Sequence, residues 1–118
     1  MRTLLAAASL LLALFAGTAA HAHAFLDHAS PLVGGTVAAA PREVTLWFTQ
    51  SLEPAFSRVE VTDANGARVD QGKAQVSGST MRVGLKPVGA GWLRVHWHVL
   101  SVDTHTSQGS FTFHVGGR

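Results

Sequence analysis

The chain has 118 residues, a formal net charge of +2, seven histidines and no cysteine. That length suits one domain with one core rather than two, and lysines and arginines scattered singly exclude the basic stripe that nucleic-acid binding needs. Without cysteine there can be no disulfide framework, no thiolate metal site and no cysteine nucleophile, so packing alone has to hold the domain together.

The first element reads as a segment to be removed. Arg2 supplies a positive charge, Leu4 to Ala16 is an apolar run broken only by Ser9, and Ala20-His21-Ala22 is a small-x-small cleavage site. The run is too short for a confident membrane span. The expectation is a signal peptide over 1–22 and an exported, periplasmic domain over 23–118. Cleavage after Ala22 makes His23 the first residue, whose α-amine and ring Nδ1 can close a chelate ring around a metal. Cleavage after Ala20 is a second register, and it would expose His21-Ala22-His23.

The rest of the chain alternates with period two and is punctuated by turn residues, with no sustained helical stripe. A first strand falls near Phe25-Leu26. Val44, Leu46 and Phe48 share one face of the next clear run, and Val59 and Val61 alternate with Arg58 and Glu60 before the turn Asp63-Ala64-Asn65-Gly66. A weak strand lies around Ala74 to Ser77. Met81, Val83 and Leu85 form another inward face, ended by Pro87 to Gly91. Leu93, Val95, Trp97 and Val99 form the longest, opposite Arg94, His96 and His98, and Phe111, Phe113 and Val115 close the chain. About seven short strands at this turn spacing predict an all-β antiparallel Greek-key sandwich, immunoglobulin-like or cupredoxin-like. Trp97, Phe48, Phe111 and Phe113 are its expected aromatic core.

Each histidine has an ordinary reading. His21 falls in the cleavage site, His28 faces solvent, and His114 faces water or the rim of the sheet. His96 and His98 share one strand face about 7 Å apart, beside the repelling charge of Arg94, and read as a solvated surface. Asp103-Thr104-His105 differs because it occupies the connection between the last two strands. In an extended segment residues two apart project the same way, so Asp103 and His105 can converge. With His23 they offer an amine, two ring nitrogens and a carboxylate oxygen, the tetragonal N,O set that copper(II) prefers. Zinc would favour a tetrahedron and often thiolate, and the methionine sulfur suited to copper(I) is nearly absent after processing.

The chain resembles the CopC family of periplasmic copper-binding proteins. The resemblance runs from His23-Ala24-Phe25-Leu26 and Ser30-Pro31-x-x-Gly34 through Val44-Thr45-Leu46-Trp47-Phe48-Thr49. It is most specific in Trp97-x-Val99-x-Ser101-x-Asp103-x-His105, joined to Gly109-x-Phe111-x-Phe113. It implies a Greek-key sandwich and a copper(II) site of His23, Asp103 and His105. It also implies a carrier or store for copper homeostasis or resistance, with a CopD-type inner-membrane partner; a monomer is expected. Two departures stand out. The stretch Val61 to Val69 lacks the methionines of the copper(I) site of some members, and Gln50 stands where members often carry a glutamate. Two other readings remain open: an exported immunoglobulin-like interaction domain without metal, and a histidine-brace copper oxidase.

Overall fold

The computed structural model describes residues 24–116; the signal segment, both cleavage registers and His23 lie outside them. Eight strands run in chain order: β1 (Leu26–Ser30), β2 (Thr36–Val37), β3 (Glu43–Phe48), β4 (Arg58–Thr62), β5 (Asp70–Ser77), β6 (Thr80–Leu85), β7 (Gly91–Leu100) and β8 (Thr106–Val115). One 3₁₀ turn, Pro54–Phe56, interrupts the connection from β3 to β4. They form two four-stranded sheets, ordered β1-β3-β6-β5 and β2-β8-β7-β4. The expected β-sandwich is therefore present, with one strand more than the alternation predicted. That strand, β2, is two residues long and pairs with β8 in parallel, so it has neither the length nor the apolar face that a sequence pattern needs.

The inward faces are those the alternation marks. Val44, Leu46, Val61, Met81, Val95, Val99 and Phe113 are all fully buried between the sheets. Burial of each such side chain contributes on the order of 1.5–3 kcal/mol, the main source of cohesion in a chain without cross-links. Trp97 is only half-buried. Its indole meets Phe48 edge-on, at 6.0 Å between ring centroids, and lies against Phe111. Directly across the ladder sits Gly109, where a Cβ would come within 2.6 Å of the indole Cη2. Glycine is required there because the indole occupies the space of the missing side chain.

β7 and β8 pair along their full ten residues, from Gly91 opposite Val115 to Leu100 opposite Thr106. This hairpin is the frame for the chemistry. It carries residues 101–105 to one pole of the sandwich, and the chain enters β1 at the same pole.

Candidate metal site

The connection from β7 to β8 is a tight turn built around Ser101. The inward parity of Val95, Trp97 and Val99 continues to Ser101, which is 0% exposed. A buried hydroxyl has to be partnered, and this one has several partners. It donates to Oδ1 of Asp103, lies 3.1 Å from the His105 carbonyl, and is approached by the His105 backbone N–H at 3.4 Å. Backbone bonds close the same turn: Ser101 N–H donates to His105 O at 2.9 Å, and Thr104 N–H donates to Ser101 O at 2.9 Å. The segment after β3 supports it from beneath, with Val102 N–H donating to Ser51 O at 3.0 Å and Glu53 N–H to Leu100 O at 2.8 Å.

Asp103 and His105 are brought together as expected, but by a different backbone. The segment is not extended: Thr104 has φ 71°, in the left-handed region that β-branched residues rarely adopt. The turn, rather than strand alternation, aims both side chains to one side. The His105 Nδ1 lies 3.4 Å from Asp103 Oδ1. That nitrogen is closed to solvent, while the two side chains are 44% and 40% exposed. The Ser101 hydroxyl first, and then the His105 ring, hold the Asp103 carboxyl below the usual carboxylate range.

The chain next to His23 is tied to this turn. Ala24 is fully buried, and its carbonyl accepts a hydrogen bond from Ser107 Oγ at 2.5 Å. Ser107 is two residues beyond His105. On the other side, Phe25 N–H donates to Thr49 Oγ1 at 3.0 Å, and Thr49 N–H donates to Phe25 O at 2.9 Å. The entry to β1 thus runs between the start of β8 and the residues that follow β3, where Gln50 stands half-buried. Among the described residues no three His, Asp or Glu side chains form a metal-holding group; Asp103 and His105 are a pair.

The remaining histidines keep to other surfaces. His96 and His98 share the outer face of β7, opposite Glu60 and Arg58 of β4. His114 leans on Trp92, 4.9 Å between centroids. His28 is exposed as expected, yet it is not bare: its ring stacks flat on Trp47 at 4.3 Å, and its Nδ1 lies 2.6 Å from Asp27 Oδ2. Reading the sequence for metal donors overlooked Ser101 and Ser107. For Ser101 a signal was present, a hydroxyl at a core-facing position two residues before Asp103. For Ser107 there was none.

Comparison with known proteins adds four findings. Residues 26–116 match the CopC domain. A copper resistance protein C of Xanthomonas campestris pv. juglandis is 33% identical over 109 residues, 85% of each chain. The copper transport protein CutJ of Bacillus subtilis is 30% identical over 111 residues, which are 91% of this chain and 20% of that protein. Among solved structures, the crystal structure of CopC from Methylosinus trichosporium OB3b superposes with a TM-score of 0.76 at 31% identity, covering 81% of this chain and 96% of the other.

Proposed function

Because this chain belongs to the CopC family, we propose that it binds copper(II) in the periplasm through His23, Asp103 and His105, and carries or stores the ion without catalysing a reaction. The observation that carries this reading is the hydrogen bond from Ser107 to Ala24, which holds the neighbour of His23 beside the turn bearing Asp103 and His105. In a processed chain beginning at His23, the amine and ring of that residue supply the donors that the Asp103–His105 pair lacks. His105 acts through Nε2, since its Nδ1 faces Asp103 and is shut from solvent. Three nitrogens and one oxygen suit copper(II) in tetragonal geometry.

The names of the relatives, copper resistance protein C and copper transport protein CutJ, support copper as the cargo. The region of CutJ that matches this chain is a fifth of that protein, and it supports a transport protein of CopD type as the recipient. No helix of the described residues is long and apolar enough to cross a membrane. In this reading the chain acts as an exported monomer.

Copper(II) titration of the secreted protein tests the proposal. One equivalent is expected to bind tightly. Asp103→Ala, His105→Ala and His23→Ala should each weaken binding by more than about 100-fold, beyond the upper end of what changes outside the ligand set cost. Unchanged binding in all three variants would remove the reading, and mass spectrometry of the secreted chain should give a terminus at His23.

A further inference from the structure

We propose that Ser101 is a positioning residue for metal capture: its buried hydroxyl clamps one oxygen of Asp103 and the backbone of His105, so that the carboxylate and the imidazole are pre-arranged before any ion arrives. This rests on the copper reading given above. A hydroxyl has one proton and two lone pairs. Two acceptors compete for the Ser101 proton, Asp103 Oδ1 and the His105 carbonyl, and the charged one forms the stronger bond. A lone pair is left for the His105 N–H at 3.4 Å. With Oδ1 occupied by Ser101 and facing the His105 ring, the Asp103 carboxylate offers Oδ2 as a single donor rather than a two-oxygen clamp. Ser101 is 0% exposed, so water does not substitute for it without opening the turn. Residue and ligands are covalently close, and the hydroxyl spans both ends of the segment between them. Its loss frees the carboxylate to rotate and the loop to widen.

The test is a double-mutant cycle on the secreted protein, with copper(II) as the probe and binding followed by competitive titration. Ser101→Ala is expected to weaken copper(II) binding about 10–100-fold, the range found for residues that orient metal ligands, and to alter the electron paramagnetic resonance hyperfine pattern. In an Asp103→Ala background the same substitution should have a clearly smaller effect, confined to what the His105 backbone contacts contribute, because the carboxylate oxygen it also acts through is gone. Ser101→Thr, which keeps the hydroxyl, should retain most of the affinity. Circular dichroism and thermal melting establish that each variant is folded. An effect of Ser101→Ala below about twofold, or an equal effect with and without Asp103, overturns the proposal and leaves Ser101 as a turn residue only. If instead Asp103→Ala itself binds like the parent protein, the copper reading fails and the proposal falls with it. The two failures are therefore distinguishable.

Discussion

Thr104 is the residue at which local preference and site geometry conflict. A left-handed backbone costs an ordinary residue roughly 1–2 kcal/mol, and Thr104, at φ 71°, bears that cost between the two donors. Its hydroxyl bonds the Asp103 carbonyl at 2.5 Å, which recovers part of it. Thr104→Gly relieves the strain while adding about 0.5–1 kcal/mol of unfolded-chain entropy. The expected outcome is a melting temperature equal to or a few degrees above that of the parent, and a clear fall would contradict the strain. Gly109 poses the opposite problem. A methyl group there would collide with the Trp97 indole, so Gly109→Ala should cost about 1–3 kcal/mol by overpacking. Denaturant unfolding measures the loss, and the near-ultraviolet dichroism of the displaced indole should change with it. The pairing of Asp103 with His105 was legible in their spacing, but for a partly wrong reason. Spacing of two suggested an extended connecting segment, whereas a left-handed residue makes the turn, and nothing in a threonine announces that conformation.

Among the elements, strands with an apolar face were readable and strands without one were not. β3, β4, β6, β7 and β8 each carry two or more buried alternating residues, which is what a period-two pattern detects. β5 spans Asp70–Ser77, while only its second half was expected. Its first half, Asp70-Gln71-Gly72-Lys73, is polar and joins the sheet through Asp70 and Gln71, which pair with Leu85 and Gly84 of β6 ahead of an irregularity. Asp70 also latches the two sheets together. Its Oδ1 accepts from the Val61 N–H of β4 at 2.9 Å and from Arg68 Nε at 2.7 Å, and its Oδ2 accepts from Arg68 Nη2 at 2.7 Å. The Arg68 hydrogen bonds, chiefly, hold the Asp70 carboxyl below its ordinary range. A carboxylate depressed in the folded state contributes stability above its unfolded pKa, near 3.9, and loses it as pH falls toward the folded value. Stability should therefore decline on acidification below about pH 4. Asp70→Asn should flatten that decline and cost about 1–2 kcal/mol at neutral pH, modest because Arg68 is half-exposed. A decline of unchanged steepness in the variant would remove Asp70 from this role.

For the molecule as a whole, the long β7–β8 hairpin and the entry of β1 place Ala24, the neighbour of His23, at the same pole as the turn that bears Asp103 and His105. A small domain without disulfides draws its stability from burial, so a ligand that binds only the folded form adds to it directly. At a free concentration 100 times the dissociation constant the gain is about 2.7 kcal/mol, worth roughly 10 °C or more in melting temperature for a domain of this size. Copper(II) should raise the melting temperature of the secreted protein accordingly and leave His105→Ala unmoved. The central claim is that proteolysis creates a ligand, and the most direct measurement is electron paramagnetic resonance of the copper(II)-loaded protein beginning at His23, beside the same protein with its α-amine acetylated. The account predicts a three-nitrogen tetragonal signal that loses one nitrogen and much of its affinity on acetylation. An identical spectrum and affinity in the acetylated protein would contradict it.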